Sequence, residues 1–155
     1  MSAFTQARIL SLAVPAALMA GALGSQLFGG LVPCEMCQWQ RWPHYSAIVI
    51  AILAFIAPTG MRRPLVWLAA LAILTSAGLA VWHAGVEYHW WVGPTHCTRT
   101  LGGSGGDFMA DLMKAPLIQC DQPQWTLFGI SLAGLNAMIS GAAALMIATL
   151  LRKRT

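Results

Sequence analysis

The sequence predicts an all-α membrane protein: a polytopic bundle of four transmembrane helices, with one short amphipathic helix in its second outer loop. Of its 155 residues, 57% are hydrophobic and only 9% are charged, and the mean hydropathy is +0.65, far from the composition of a soluble domain. The apolar residues fall into four runs, and the only long polar segment separates the third from the fourth. We therefore expect one transmembrane domain embedded in a lipid bilayer.

The first predicted span covers residues 9–28, long enough at about 1.5 Å per residue to cross a hydrocarbon core about 30 Å thick. Small residues recur in it at every fourth position and predict a face that approaches a neighbouring helix closely. They are Ala13, Ala17, Gly21, Ser25 and Gly29. A cleaved signal peptide is the alternative, since Arg8 precedes the apolar run and Ala20-Gly21-Ala22 resembles a cleavage site. The length of the run favours a span.

The second predicted span covers residues 40–57, but its strongly apolar part begins only at Tyr45. The helix must therefore start near the preceding cysteines to be long enough. Pro43 leaves two possibilities open. As an interior residue it would bend the helix and leave the Trp39 carbonyl without its usual donor, whereas as the first helical residue it would be unstrained.

The third predicted span covers residues 65–86, and the fourth covers residues 125–151. The third carries a second stripe of small residues, Ser76, Ala80 and Ala84. The outer loops are then residues 29–39 and 87–124. In the second loop, Asp107 can cap a short helix that Pro116 ends, and its apolar face predicts a segment lying on the bilayer or packed against protein.

The distribution of charge predicts the orientation of the bundle. With both termini in the cytoplasm, the inner side holds Arg8, Arg62, Arg63, Arg152, Lys153 and Arg154. The outer side holds only Arg41, Arg99 and Lys114 among the basic residues, together with all the acidic ones. This is the bias of the positive-inside rule, so topology accounts for the net charge of +4. No basic stripe with interleaved aromatic residues indicates a nucleic-acid partner.

All four cysteines, Cys34, Cys37, Cys97 and Cys120, fall in the outer loops, where disulfides persist. Their arrangement suggests, among three full pairings, Cys34 with Cys37 and Cys97 with Cys120. A Cys-x-x-Cys pair closes too small a loop to be a good structural staple. At a helix start, the helix dipole and the nearby Arg41 would stabilise a thiolate, which suits a redox pair. The alternative for Arg41 is an interfacial side chain that snorkels to lipid headgroups.

These residues carry a resemblance to a known family. The run Cys34-Glu35-Met36-Cys37-Gln38-Trp39-Gln40-Arg41 lies in the first outer loop, and Cys97 and Cys120 lie in the second. Cys120-Asp121 is followed by Trp125-Thr126-Leu127-Phe128-Gly129. This pattern resembles the bacterial disulfide bond formation protein B (DsbB) family over nearly the whole chain. Members of that family are known to link periplasmic thiol oxidation to membrane quinones.

The resemblance implies a relay of thiol exchanges in the bacterial inner membrane, with the cysteines on the periplasmic side. A reduced periplasmic DsbA-like thiol oxidase would attack Cys97, and Cys120 would exchange with Cys34. Cys37 would then face ubiquinone or menaquinone from the membrane pool. The enzyme would be a protein dithiol:quinone oxidoreductase with catalytic residues Cys34, Cys37, Cys97 and Cys120.

The same resemblance gives Arg41 the role of stabilising the Cys37 thiolate and a quinone oxygen. His44 lies on the same face of a continuous helix, so the expected quinone-binding residues are Cys37, Arg41 and His44. No metal is expected. Glu87 matches an acidic position of the family only weakly, and we expect it to be a solvated interfacial acid.

Other classes of protein remain possible from the sequence. The four cysteines could form a zinc site, although they lack a second short spacing and face an oxidising compartment. His44 and His83, near the same end of adjacent helices, could bind haem in a membrane subunit. Quinone-linked thiol oxidoreductases of the vitamin K epoxide reductase type share the chemistry, but their Cys-x-x-Cys is expected near the end of the bundle.

Overall fold

The computed structural model describes residues 1–93 and 119–153, which form an all-α bundle of four helices. The helices are α1 (Ala3–Leu27), α2 (Glu35–Ile56), α3 (Thr59–Glu87) and α4 (Leu132–Arg152). Of these, α1, α3 and α4 are long and apolar enough to cross a membrane. The predicted all-α membrane bundle is therefore confirmed. The predicted amphipathic helix, and Cys97 with it, lies outside the described residues.

Helix α3 packs broadly against α2 and α4, whereas α1 contacts α2 and α4 over smaller areas. An apolar core joins the start of α1, the end of α2, the start of α3 and the end of α4. Successive helices therefore run in opposite directions. Cys34 and Cys120 pack together at the other end of the bundle, beside Val86 near the end of α3.

Helix α2 is continuous through Pro43, which answers the question that the sequence left open. Cys34 is its N-cap, and its sulfur accepts a hydrogen bond from the Cys37 backbone N–H at 3.2 Å. Because Cys37 and Arg41 are four residues apart on one helix, they lie on the same face. The first half of α2 is rich in polar side chains, so its crossing of the membrane remains a prediction from its 22-residue length.

Two connections differ from the predicted ones. Thr59 already begins α3, so Arg62 and Arg63 lie in its first turns rather than in a loop. Before α4, strand β1 (Thr126–Leu127) pairs antiparallel with strand β2 (Ile130–Ser131). Phe128 and Gly129 form the tight turn between the strands, with φ of 50° and 80°. The hairpin delays the fourth helix until Leu132, although its span was predicted from residue 125.

The prediction that the small-residue stripe of α1 contacts a neighbouring helix is wrong, since Ala13 and Ala17 are exposed. The buried face of α1 is Ala7, Ser11, Pro15 and Met19 instead. Alanine at position 7 and serine at position 11 are as small as the predicted stripe, so residue size alone could not choose between the faces. The corresponding stripe of α3, Ser76, Ala80 and Ala84, is buried as predicted.

Candidate functional site

The Cys34 and Cys37 side chains meet at the first turn of α2. Their sulfurs lie 2.8 Å apart, and the Cys34 thiol donates to the Cys37 sulfur. Cys34 is buried and Cys37 is half-buried. A disulfide between them would need the sulfurs to approach to about 2.05 Å, a movement within the reach of side-chain rotation. The geometry therefore suits a pair that alternates between dithiol and disulfide.

The electrostatics of the pair favour one thiolate, on Cys37. Both cysteines precede the predicted span at residue 40, at the end of the bundle that the charge distribution predicts to be the outer one. The hydrogen bond from Cys34 lowers the pKa of Cys37, with a smaller contribution from the Arg41 guanidinium, and together these outweigh burial. The same hydrogen bond, followed by burial, raises the pKa of Cys34. Of the two sulfurs, Cys37 is therefore the one on which the surroundings favour negative charge.

Arg41 is held by α1 across the helix interface. Its Nη1 donates to Gln26 Oε1 at 2.8 Å, and its Nη2 donates to the Ala22 carbonyl at 3.4 Å. Its buried Nε has no hydrogen-bond partner within residues 1–93 and 119–153. These contacts favour a role inside the protein over the alternative of snorkelling to headgroups.

A cavity of about 270 Å³ opens between α1, α2 and α4, beside the dithiol. Cys34, Cys37, Arg41 and His44 all line it. Its walls from α1 include Ala17, Gly21 and Ser25, and its walls from α4 include Leu135, Asn136 and Ile139. Small residues of the predicted α1 stripe thus leave room for a ligand. The predicted site residues of α2 converge on one mainly apolar space.

His44 is fixed by a buried polar network. Its Nε2 lies 3.0 Å from Asn136 Oδ1 and 2.9 Å from Ser76 Oγ. Asn136 Nδ2 donates to Gln40 Oε1 at 2.9 Å, and Ser140 Oγ donates to Asn136 Oδ1 at 2.7 Å. Such side chains are costly between transmembrane helices unless they are paired. The network therefore ties α2, α3 and α4 together directly below the cysteine pair.

His83 connects this network to the cysteines. Its Nδ1 lies 2.7 Å from Gln40 Nε2, and its Nε2 lies 3.6 Å from the Cys34 sulfur. Glu87, one turn further along α3, has its Oε1 3.8 Å from His83 Nε2. The expectation that Glu87 is a solvated interfacial acid is wrong, since only 8% of it is exposed. The segments that precede α2 and α4 pack against this end of α3, where Cys34, Val86 and Cys120 form one buried cluster.

Cys120 is buried against Cys34, Met36 and Val86, so the second loop brings at least this cysteine to the first pair. Gln124, shortly after it, donates to the Val32 carbonyl at 2.6 Å and fastens the two outer segments together. Cys97 lies outside the described residues, so the predicted Cys97–Cys120 pair remains a prediction.

The sequence did not single out Gln26, Gln40, Asn136 or Glu87 as parts of the site. The available signal was polarity, because amide and carboxyl side chains are rare within apolar helices and mark functional positions there. His44 Nε2 already faces Ser76 and Asn136, and His83 Nε2 already faces the Cys34 sulfur. These contacts count against the haem-binding alternative.

Comparison with known proteins shows the family to which the chain belongs. The family model described as Disulfide bond formation protein DsbB matches residues 5–150. A Disulfide bond formation protein B 2 of Pseudomonas syringae pv. syringae (strain B728a) is 34% identical over 110 residues, covering 66% of this chain and 62% of the relative. The chain thus spans less than two thirds of that relative's length.

Two further relatives align over more of their length. The Disulfide bond formation protein B 2 of Burkholderia lata is 29% identical over 130 residues, with 74% of each chain covered. The Disulfide bond formation protein B of Acinetobacter baylyi is 27% identical over 126 residues, covering 74% of this chain and 71% of the relative. No solved structure matches the chain significantly. Because the family model covers nearly the whole bundle, the chain belongs to the DsbB family of disulfide bond formation proteins.

Proposed function

We propose that this protein oxidises a periplasmic thioredoxin-fold dithiol oxidase of the DsbA type and passes the two electrons to ubiquinone, or to menaquinone. It thereby supports disulfide bond formation. It would act in the bacterial inner membrane, with both termini cytoplasmic and the cysteines on the periplasmic side. The single observation that carries this proposal is the opening of the Cys34–Cys37 pair onto the cavity that Arg41 and His44 also line.

The cavity has the chemistry that a quinone headgroup requires. A quinone is a flat apolar ring with two carbonyl oxygens, which accept hydrogen bonds but donate none. The cavity offers apolar walls and the guanidinium of Arg41, which lines it. A cationic hydrogen-bond donor beside an apolar space suits a carbonyl oxygen. Cys37, Arg41 and His44 would hold the ring.

The proposed thiol chemistry starts with Cys34 and Cys37 joined as a disulfide and Cys120 as a thiolate. Exchange with the second loop would break the Cys34–Cys37 disulfide as the Cys120 thiolate attacks Cys34, and the electron pair would stay on Cys37 as its thiolate. Completion of that exchange would leave Cys34 and Cys37 reduced and Cys97 and Cys120 joined. A bound quinone would supply the two-electron acceptor that reoxidises the first pair.

The chain's own residues prepare that last step. The thiol of Cys34 donates to Cys37, and the guanidinium of Arg41 favours negative charge on it, so Cys37 presents a thiolate to the cavity. Gln26 and the Ala22 carbonyl hold the guanidinium in place. The apolar walls from α1 and α4 flank the reacting sulfur.

Stopped-flow reduction of ubiquinone by a reduced thioredoxin-fold donor tests the proposal. Wild type should turn over, and Cys37→Ser should not, because no thiolate then faces the cavity. Ser46→Ala, which removes an exposed hydroxyl that donates to the Trp42 carbonyl on the same helix, is the matched control and should keep full turnover. Undiminished turnover in Cys37→Ser would disprove the assignment.

A further inference from the structure

The reduced cysteine pair belongs to a cluster of metal-binding side chains. The sulfurs of Cys34 and Cys37 and a ring nitrogen of His83 all lie within 4.8 Å of one another. Glu87 adds a carboxylate whose Oε1 is 3.8 Å from His83 Nε2. The cluster differs from a site made of the four cysteines, since it draws two of its ligands from α3.

We propose that the reduced protein binds one Zn²⁺ ion through Cys34, Cys37, His83 and Glu87, and that two-electron oxidation of Cys34 and Cys37 to a disulfide, by a quinone or a protein disulfide, expels it. Thiolate sulfur, imidazole nitrogen and carboxylate oxygen are the ligands that zinc takes in four-coordinate sites. Binding releases the thiol protons to solvent and changes no oxidation state. The proposal does not depend on the identity of the electron donor or acceptor.

The distances are close to those that a tetrahedral site needs. With Zn–S of about 2.3 Å and Zn–N of about 2.0 Å, a sulfur and a nitrogen ligand lie about 3.5 Å apart and two sulfurs about 3.8 Å apart. Cys34 Sγ and His83 Nε2 are already 3.6 Å apart. The two sulfurs, at 2.8 Å, must separate by about 1 Å, which rotation of the half-buried Cys37 side chain provides.

An independent observation points to a ligand at Glu87. Its Oε2 is buried and has no hydrogen-bond partner among the residues that the structure describes, although only 8% of the residue is exposed. A carboxylate oxygen left unpaired in this way is costly, and a bound cation would satisfy it. Glu87 also lines the cavity beside Cys34, Cys37 and His83, so a metal ion has a route to it.

Gln40 contacts the ring nitrogen of His83 that faces away from Cys34. A metal-binding histidine usually presents its second ring nitrogen, as N–H, to an acceptor that fixes the ring. Gln40 occupies that place, with its side-chain amide 2.7 Å from His83 Nδ1. To accept from Nδ1–H and leave Nε2 for the metal, the amide must turn its oxygen to His83, which exchanges its bond from Asn136 Nδ2 for one from the imidazole. Zinc bound to both sulfurs competes with disulfide formation, so it slows any reaction that oxidises this pair.

The test is a metal titration of the purified full chain in detergent, with ZnCl₂ under anaerobic conditions against a chromogenic chelator. The dithiol-reduced protein, freed of reductant, should bind one zinc, and the oxidised wild type should bind none at this site. CoCl₂ should give the thiolate charge-transfer bands of a tetrahedral site only in the reduced protein. Equal binding by the oxidised and reduced forms would overturn the proposal.

Variants identify the ligands without any measurement of quinone reduction. His83→Gln and Glu87→Gln should each weaken zinc binding by more than about tenfold, the loss typical of even an outer-shell partner. His89→Asn is the matched control, because His89 is exposed and its positive φ of 58° suits asparagine. Circular dichroism of each variant establishes that it is folded. Unchanged affinity in folded His83→Gln or Glu87→Gln would contradict the site.

Discussion

The side-chain amide of Gln26 on α1 accepts a hydrogen bond from Arg41 Nη1 on α2 at 2.8 Å. This contact, with the weaker one to the Ala22 carbonyl, aims the guanidinium at the cavity beside Cys37. Helix α1 contacts α2 over a smaller area than α3 does. The position of the charge next to the thiolate therefore depends on α1 as much as on the helix that carries Arg41.

Gln26→Leu should raise the KM for quinone about threefold to tenfold, because a hydrogen bond to a charged group near the surface is lost while the charge remains. Thiol exchange with the donor protein should be unchanged. Gln38→Leu, an exposed glutamine on α2, is the control. Steady-state quinone reduction at a saturating concentration of the donor protein gives the KM for quinone of both variants. A loss of donor exchange in Gln26→Leu would mean that the contact serves the second loop instead.

Arg41→Ala should weaken apparent quinone affinity more strongly, by about tenfold to a hundredfold, since it removes the guanidinium that donates the hydrogen bond. Exchange of Cys97 with the donor should stay intact. The measurement pairs quinone titrations with trapping of the mixed disulfide between donor and protein. Retained quinone affinity together with lost trapping would show that Arg41 acts in the exchange between loops.

Asn136→Leu should lower the free energy of unfolding by about 1–3 kcal/mol, since it removes the group that links Gln40, Ser76 and His44. Thermal unfolding in detergent, followed by circular dichroism, measures the loss. Ser46→Ala serves as the control because its hydroxyl bonds only within its own helix. A melting temperature equal to that of wild type would argue against a structural network.

Gly85→Ala should destabilise the outer end of α3. A Cβ at Gly85 would overlap the indole of Trp91, whose Nε1 donates to the Trp82 carbonyl at 2.9 Å. Overpacking of this kind costs about 1–3 kcal/mol and should shift the tryptophan fluorescence. Gly78→Ala, on the same helix with nothing within 4 Å of its Cβ, should be neutral or stabilising by up to about 1 kcal/mol. Equal stability of the two variants would contradict the contact.

Hydropathy predicted the four helices because apolar length is nearly sufficient to specify a membrane span. It could not place the start of the fourth helix, since the hairpin at Phe128 and Gly129 depends on backbone conformation rather than on polarity. It also could not choose the buried face of α1, because both candidate faces carry small residues.

The chemistry on α2 was predictable because Cys37, Arg41 and His44 are close in sequence, and one continuous helix brings them to one cavity. The residues that α1 and α3 contribute to the site were not predictable from the sequence. Gln26 lies on a different helix from Arg41, and Glu87 is far along the chain from the first cysteine pair, so only tertiary packing shows that the first holds Arg41 and that the second is buried beside His83.

The most direct test of the central claim isolates the first cysteine pair from the second. The Cys97→Ser/Cys120→Ser protein is reduced, freed of reductant and mixed anaerobically with one equivalent of ubiquinone. Absorbance then measures quinol, and alkylation followed by mass spectrometry measures the Cys34 and Cys37 thiols. We predict one quinol for each Cys34–Cys37 disulfide formed. Thiols that stay reduced beside unreacted quinone would contradict transfer of electrons from this pair.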